Sequence, residues 1–530
     1  MTREERRWCL LLSVALMALT SIPYVVGFQT QAEGWNFTGF VFGVGDGNSY
    51  IAKMLQGQTG AWLFQTPYSS QDTGGILAFL PYLVLGKLAA GEELHTQLVI
   101  LFHMARLALV PVAVYAVYRF SSLFLPEPFW RRWATVLAVV GGGLGWLLAL
   151  SGRSQLLGSL PLDFYSPEGF GFLALYGLPH LLLARALMFS SLTAYLTPGG
   201  GLRPGVIAGL LLLGLGVVQP LAVVPAYAAF GSHVFVLIGL KFGGRSAAPL
   251  GPWFRRAALA IVVPIPPILY YALGSLSVPA LQQWAAQNIL PSPHPVHYLL
   301  AYALVLVPAL LGARDLIRAD AVLGWFLPLW LIVLLLLAYA PITVQRRLIE
   351  GAWGVLAILA ARGLRTIPIA SRRRRLLAAG LLGASSLTSI LLLGGGLLQV
   401  LRPAMPVFRP AAEVAAFEWI AEHAAPDSVV LSAFDTGNAL PAWAPVRSVI
   451  GHGPETANLA ELQPEVERFF GGVLTGTAAE RFLREQRVSL VLRGPIERDL
   501  GEWDKLPTDR LKAVYDESGY TVYLVERADD

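Results

Sequence analysis

The sequence has a single cysteine, Cys9, among its 530 residues. One thiol cannot form a disulfide within the chain, which argues against redox chemistry as its activity. Charged residues are also few, at 14% of the chain, and the interleaved aromatic and basic residues that bind nucleic acid are absent. The sequence therefore predicts no nucleic-acid partner, and the basic pI near 9.2 is assigned to arginines at the inner face of a membrane.

Apolar residues are abundant instead, at 55% of the chain, and the mean hydropathy is +0.58. A soluble chain of this length does not need so much apolar surface. Segments long enough to cross a bilayer, which takes roughly 20 apolar residues, lie near 8–27, 98–118, 133–151, 172–197, 205–218, 221–240, 257–275, 298–313, 321–340, 352–366 and 376–400. We therefore predict a polytopic α-helical membrane protein with about 11 transmembrane helices.

Two further features of the topology concern the N-terminal segment and the stretch 76–90. The apolar run at the N-terminus is long, and no small-residue cleavage site follows it, so it is predicted to be a transmembrane helix and not a cleaved signal. The stretch 76–90 is short and contains Pro81 and Lys87. It is predicted to lie on, or dip into, the external interface; an ordinary short span is the alternative.

The positions of lysine and arginine predict the topology, because these residues collect in cytoplasmic loops. With the N-terminus in the cytoplasm and 76–90 not crossing, the Arg372–Arg375 run is cytoplasmic. The external loops before residue 400 then hold only Lys53, Lys87, Arg153, Arg346 and Arg347. We expect a multi-pass protein of the plasma membrane whose C-terminal part is external.

The composition becomes that of a soluble domain near residue 402. Helices are predicted at 413–423, 459–470 and 477–486, and strands at 429–433, 447–450, 489–493, 511–515 and 520–525. We therefore predict two domains: a transmembrane domain, 1–401, with a long first external loop at 28–97, and an external α/β domain, 402–530.

The first external loop contains an acidic residue between glycines, Asp46, and unhindered backbone on both sides lets such a residue approach a substrate. Asp46 and Tyr50 are four residues apart, so they share one face if the chain is helical from Asn48 onward. We take both as candidate site residues. The alternative is that Asp46 caps that helix.

Further candidates lie in later external segments. Asp163 and Glu168 follow the third predicted span as a second acidic pair, with solvation and helix capping as the alternative. His180 lies near the outer end of a span, where a histidine is costly unless it has a partner; a packing role is its alternative. Trp284, in an uncharged loop, suits stacking on a sugar or a place in the aromatic belt of the membrane.

The adjacent arginines Arg346 and Arg347 oppose the charge rule at the external surface. Arginine can hold a phosphate or pyrophosphate bidentately, so we predict a lipid-phosphate site here. Contact with anionic headgroups of membrane lipids is the alternative. His294 and His297 have a spacing found in metal sites, but Pro295 intervenes and no carboxylate accompanies them. No cofactor is predicted, and a divalent metal has no support.

Together these features resemble the GT-C superfamily of polyprenyl-phosphate-sugar-dependent glycosyltransferases, which includes protein O-mannosyltransferases and lipid A aminoarabinose transferases. The long first external loop, the many spans and the external α/β tail all match. The residues that carry the resemblance are Asp46, Tyr50, Gly60-Ala61-Trp62, Pro67-Tyr68, Pro167-Glu168, Pro179-His180, Gln345-Arg346-Arg347 and Gly451-His452-Gly453-Pro454-Glu455-Thr456. The last four are typical of a bacterial subgroup.

The resemblance implies inverting transfer of a sugar from a polyprenyl-phosphate donor to a lipid, glycan or protein acceptor at the external face. Asp46 would be the general base, and Arg346 and Arg347 would stabilise the departing phosphate. Glycine follows Asp46 where many relatives have a second acid or histidine. That difference puts metal dependence in doubt and leaves Asp163 or Glu168 as the second acid.

Two alternatives to single-sugar transfer stay open. One is a non-catalytic membrane protein that binds, flips or assembles lipid-linked glycans. The other is the transfer of a whole glycan.

Overall fold

A computed structural model describes residues 1–153, 155–197, 201–244, 249–320, 322–503 and 505–526. The chain forms two compact units. Unit 1 comprises Met1–Ile22, Met104–Ala272 and Ile289–Gly395. Unit 2 comprises Pro23–His103, Leu273–Asn288 and Gly396–Asp530.

The part of the chain before residue 402 is almost entirely helical. Its helices are α1 (Arg3–Gln29), α2 (Val44–Gln58), α3 (Leu80–Gly86), α4 (Leu94–Ser121), α5 (Pro128–Val140), α6 (Gly145–Leu150), α7 (Leu162–Tyr165), α8 (Gly171–Gly177), α9 (Pro179–Leu196), α10 (Arg203–Val218), α11 (Val223–Phe242), α12 (Leu250–Val262), α13 (Ile265–Ser277), α14 (Pro279–Gln287), α15 (Val296–Ala319), α16 (Phe326–Leu337), α17 (Ala352–Thr366) and α18 (Ser371–Val400). Short 3-10 helices lie at Pro220–Ala222 and Gln345–Ile349.

Each predicted span coincides with helix, but three are interrupted. The segment 133–151 divides into α5 and α6, 172–197 divides into α8 and α9, and 257–275 divides into α12 and α13 with a bend of 47°. In the described part of the chain, five helical segments are long and apolar enough to cross a membrane, or six if the bent pair is one span. The protein is thus a multi-pass membrane protein, and the count of 11 spans stays a prediction.

Close backbone contacts through glycine hold helices α15 and α17 of unit 1 together. A Cβ at Gly312 of α15 would lie 1.8 Å from the Leu359 carbonyl oxygen, and one at Gly363 of α17 would lie 1.8 Å from the Pro308 carbonyl oxygen. Glycine at both positions therefore lets the two backbones touch, as small residues do between membrane helices. Side chains from Ala352 to Leu364 of α17 are all buried.

The stretch 76–90 contains only the seven-residue helix α3. At a rise of 1.5 Å per residue such a helix is about 10 Å long, too short to cross a bilayer. Two glycines let α3 pack on α2 within unit 2: a Cβ at Gly57 would lie 2.0 Å from the Leu83 carbonyl oxygen, and one at Gly86 would lie 1.7 Å from that of Met54.

Unit 2 also contains seven strands, five of which form a mixed sheet. The strands are β1 (Trp35–Phe37), β2 (Phe408–Pro410), β3 (Val429–Leu431), β4 (Arg447–Ser448), β5 (Val488–Arg493), β6 (Leu511–Glu517) and β7 (Tyr520–Val525). The remaining helices are α19 (Ala411–His423), α20 (Phe434–Ala439), α21 (Leu459–Phe470), α22 (Thr477–Glu485) and α23 (Pro495–Asp499), with a 3-10 helix at Leu440–Ala442. The sheet order is β4-β3-β5-β7-β6, while β1 and β2 form a separate antiparallel pair.

The central strands of this sheet are covered on both faces. Strand β3 is parallel to β4 and β5, and β7 is antiparallel to β5 and β6. Val491 of β5 is buried with Phe469 of α21, whereas Leu492 is buried with Phe417 of α19. Burial on both faces explains the apolar runs from which the strands were predicted. The predicted helices and strands are confirmed, but the domain boundary at 402 stays a prediction, because unit 2 also includes Pro23–His103.

Candidate functional site

Asp46 lies in the first turn of α2. The helix begins at Val44, and its N-cap is Gly43 in the left-handed conformation with φ 55°. The alternative in which Asp46 caps a helix starting at Asn48 is therefore wrong, because the helix starts two residues before Asp46. A carboxylate in the first turn is stabilised by the positive end of the helix dipole. The Asp46 side chain is 62% exposed.

A cavity of about 560 Å³ opens beside Asp46 within unit 2. This is the size of ordinary small-molecule pockets. Four segments supply its wall: the start of α2, the chain before α19, helix α20 and the loop after β4. The lining residues are Gly43, Gly45, Asp46, Asn48, Met405, Pro406, Arg409, Phe434, Asp435, Asn438, Gly451, His452 and Gly453.

Amide side chains fix the start of α2 against α20. Asn48 Nδ2 donates to Asn438 Oδ1 at 2.9 Å, and Asn438 Nδ2 donates to the Gly45 carbonyl oxygen at 3.2 Å. The Tyr68 hydroxyl donates to the Asn438 carbonyl oxygen at 3.1 Å. Asp46 is thus carried on a helix end that two hydrogen bonds join to Asn438.

The loop Gly451–Thr456 brings a histidine to Asp46. Thr456 Oγ1 closes this loop by accepting from the backbone N–H groups of Gly451 and His452, at 3.2 and 3.1 Å. His452 Nε2 lies 3.2 Å from Asp46 Oδ1. The sequence pointed to this segment only through its resemblance to a family, and it gave His452 no role.

A buried ion pair lies behind His452. Lys53 is fully buried on α2, and its Nζ lies 2.7 Å from Glu455 Oε1. Burial lowers the pKa of Lys53, while the Glu455 carboxylate acts in the opposite direction. Asp46, Ser49 and Lys53 recur at helical spacing on α2, and this periodicity is the signal that could have identified Lys53.

Tyr50 and Trp284 belong to the same unit as Asp46 but contact other aromatic rings. Tyr50 stacks on Tyr82 with ring centroids 4.6 Å apart. Trp284 packs on Phe79 at 5.5 Å, against an apolar cluster formed mainly by the first loop. Neither is among the described residues that line the cavity. Each ring has an aromatic packing partner, and the proposed substrate-binding roles of Tyr50 and Trp284 remain predictions.

In unit 1, Asp163 holds an interruption between helices. Its Oδ2 accepts hydrogen bonds from the backbone N–H of Gly143 at 2.9 Å, that of Gly145 at 3.1 Å and the Thr388 hydroxyl at 2.7 Å. The carboxylate thus satisfies backbone donors that the break between α5 and α6 leaves outside a helix. This environment gives Asp163 a structural task.

Three other candidates of unit 1, Glu168, Arg346 and Arg347, form a cluster of charges. Glu168 Oε1 lies 3.5 Å from Arg347 Nε, and the Arg346 guanidinium lies over the Tyr165 ring at 4.7 Å. The sequence placed Glu168 and Arg347 in different roles, and the structure pairs them. His180 is half-buried in the first turn of α9.

Arg185 and Glu350 form a second pair in unit 1. Arg185 Nε donates to Glu350 Oε1 at 2.7 Å, and an Arg185 terminal nitrogen donates to Oε2 at 3.2 Å. An arginine within a membrane segment needs a partner, but the sequence alone does not identify Glu350 as the partner of Arg185. The only sequence signal for Glu350 is its place as a lone acid before an apolar segment.

The two histidines at metal-like spacing do not form a metal site with other described residues. His297 Nε2 lies 2.8 Å from the Leu156 carbonyl oxygen, a contact that already occupies one of its two ring nitrogens. Across the described residues, three or more His, Cys, Asp or Glu side chains do not come together in a group that could hold a metal ion.

No protein-family model matches this sequence, and no curated protein is similar to it. Solved structures are similar in fold. The oligosaccharyltransferase AglB from Archaeoglobus fulgidus, in complex with an inhibitory peptide and a dolichol-phosphate, has a TM-score of 0.52 and 14% identity, over 99% of this chain and 75% of that one. ArnT from Cupriavidus metallidurans has a TM-score of 0.50 and 12% identity, over 98% and 99%. The arabinofuranosyltransferase AftD from mycobacteria has a TM-score of 0.56 and 15% identity, over 99% and 42%.

Proposed function

Because the chain has a GT-C-like fold, we propose that it is a membrane glycosyltransferase that uses a polyprenyl-phosphate-linked sugar as donor. The acceptor would be a lipid, a glycan or a protein. The observation that carries the proposal is Asp46, an exposed carboxylate on a fixed helix end at the wall of the 560 Å³ cavity. The dolichol-phosphate in the AglB structure supports this class of donor.

In the proposed reaction Asp46 is the general base. An acceptor hydroxyl oxygen attacks the anomeric carbon of the sugar while Asp46 takes the hydroxyl proton. The bond from that carbon to the phosphate oxygen breaks, and the lipid phosphate leaves with the electron pair. Attack opposite the leaving group inverts the anomeric configuration. A positioned base is worth roughly 10²- to 10⁴-fold in rate.

The arginine cluster of unit 1 supports a second part of the proposal, in which Arg346 and Arg347 bind the donor phosphate. Contact with Tyr165 orients the Arg346 guanidinium, and Glu168 orients that of Arg347. Planar, oriented guanidinium groups suit a phosphate and lose little entropy on binding it. In this proposal Glu168 orients Arg347. Asp163 stabilises the break between α5 and α6 and does not contact the substrate.

The test is a transfer assay on the purified full chain in lipid nanodiscs, with a panel of labelled polyprenyl-phosphate sugars. Asp46→Asn keeps the size of the side chain and removes its basicity. Turnover should fall by roughly 10²-fold or more, while folding and donor binding persist. Wild-type turnover by the Asn variant would exclude Asp46 as the base. If wild type binds donors but transfers no sugar from the whole panel, the non-catalytic glycan-binding alternative gains.

A further inference from the structure

A continuous chain of charged and polar groups runs from the cavity into the interior of unit 2. His452 Nε2 lies 3.2 Å from Asp46 Oδ1, His452 Nδ1 lies 3.7 Å from Glu455 Oε1, and that oxygen lies 2.7 Å from Lys53 Nζ. Side-chain exposure falls along the chain, from 62% at Asp46 through 12% at His452 and 5% at Glu455 to 0% at Lys53. His452 therefore connects the solvent-facing carboxylate to a buried ion pair.

The inner end of this chain is fixed by several contacts. Lys53 Nζ donates to Glu455 Oε1, to Ser49 Oγ and, at 3.4 Å, to the Ser49 carbonyl oxygen. It also lies over the Phe79 ring at 4.2 Å. Removing either charge of a buried pair leaves the other uncompensated, so the contact with Lys53 fixes the Glu455 carboxylate in place.

The outer end is aligned for one donor–acceptor contact. The Tyr68 ring stacks on His452 with centroids 5.5 Å apart, and the loop closed by Thr456 fixes the His452 backbone. An ionised Asp46 only accepts hydrogen bonds, so Nε2 must be the donor in this contact. A donor to an ionised carboxylate orients it and favours the ionised form, which is the form that a general base needs.

We propose that His452 is a positioning residue for Asp46: fixed by the Tyr68 ring and by Thr456, beside the Glu455–Lys53 pair, it orients the Asp46 carboxylate and keeps it ionised at the cavity wall. This inference rests on the proposed function for its catalytic meaning and on the contact chain for its physical content. The other charged groups at the cavity are Arg409 and Asp435. In this series of contacts, His452 lies between the exposed Asp46 carboxylate and the buried Glu455 carboxylate.

The first test measures transfer by His452→Ala and His452→Gln. The Ala variant removes the donor, so kcat should fall roughly 10- to 100-fold with little change in the KM for the donor. The acid limb of the pH–rate profile should move to higher pH, because a carboxylate without its donor is protonated more easily. Gln offers an amide donor at a similar reach and should restore part of kcat.

The control is His423→Ala. His423 is an exposed histidine on α19 of the same unit, and it stacks on Trp419. Its loss should leave kcat and the pH profile unchanged. If His452→Ala lowers kcat without moving the acid limb, or if Gln restores nothing, His452 has only a packing role and the inference is overturned.

A second test does not depend on activity. Diethyl pyrocarbonate modifies accessible imidazole nitrogens, so its rate of reaction with His452 at a single pH, read by mass spectrometry, reports whether Nε2 is engaged. In Asp46→Ala the rate should rise several-fold, because Nε2 loses its contact with Asp46 Oδ1. An unchanged rate would overturn the inference whatever the transfer activity. A raised rate in a protein without transfer activity would overturn the proposed function alone.

Discussion

At the scale of single residues, the two arginines of the Gln345–Ile349 turn carry a prediction about the donor. Arg346→Ala with Arg347→Ala should weaken binding of a polyprenyl-phosphate sugar by roughly 10- to 100-fold, since hydrogen bonds to charged groups are lost. Binding is measured on protein in nanodiscs, with Arg153→Ala as the control because Arg153 is also an exposed arginine of a predicted external loop.

The same double substitution leaves the Glu168 carboxylate without its ion-pair partner, because Arg347 pairs with Glu168, which is mostly buried. A third substitution, Glu168→Gln, removes that charge and separates lost binding from lost stability. Unchanged donor affinity in a folded double or triple variant would leave only contact with lipid headgroups for these arginines.

Glu413 carries a prediction about pH and stability. Burial raises the pKa of Glu413 to about 7, even though the Arg409 guanidinium, 3.6 Å away, acts in the opposite direction. The folded-state value lies above the ordinary value of 4.5. Stability from this group is therefore fully present below pH 4.5 and is lost as the pH rises through about 7. Linkage puts the loss at about 3 kcal/mol.

Glu413→Gln imitates the protonated acid, so its thermal unfolding midpoint should change little between pH 4.5 and 7, whereas that of wild type falls. Glu422→Gln, at an exposed position of the same helix, is the control and should behave as wild type does. Equal slopes for wild type and Glu413→Gln would show that Glu413 does not titrate in this window.

At the scale of elements, helix packing in unit 1 makes a matched pair of glycine variants informative. Gly312→Ala would place a methyl group 1.8 Å from the Leu359 carbonyl oxygen of α17. Gly231→Ala, on α11, meets nothing within 4 Å in the described structure. The first should destabilise by about 1–3 kcal/mol through overpacking. The second should be neutral or slightly stabilising, since alanine favours helix. Thermal unfolding of the two variants in one detergent measures the difference, and equal midpoints would contradict the close α15–α17 contact.

Element boundaries also show the limit of periodicity. The sequence predicted one span at 133–151, because every residue from Trp133 to Leu150 is compatible with a membrane helix. The structure breaks it at Gly141–Gly143, where backbone donors bond to Asp163 and to the Ser385 carbonyl oxygen. The stability of such a break depends on acceptors more than 15 residues away in sequence, and these leave no mark on the local pattern.

At the scale of the whole molecule, the distribution of basic residues predicts which surface faces the cytoplasm. A reporter fused after Ala90 and one after Leu401 should both report an external location, and one after Arg375 a cytoplasmic location. The short helix α3 agrees with the first of these. A cytoplasmic signal after Ala90 would mean that 76–90 crosses, and the assignments of the flanking loops would change.

The sequence by itself determined the helical membrane class and three helices and five strands after residue 402. These features follow from periodicity and composition over some 4 to 20 residues, so a single stretch of chain contains all the information they need. The GT-C-like fold, which solved structures share, was also expected from short sequence motifs.

Only the tertiary structure decided which polar groups meet. Asp46 contacts His452, Lys53 pairs with Glu455, and Arg185 pairs with Glu350. Partners in each pair are far apart in sequence, and many acids and bases could have satisfied the same side chain. Burial makes the choice: a charge that leaves water needs a partner in the same small volume, and folding alone determines which residues share that volume.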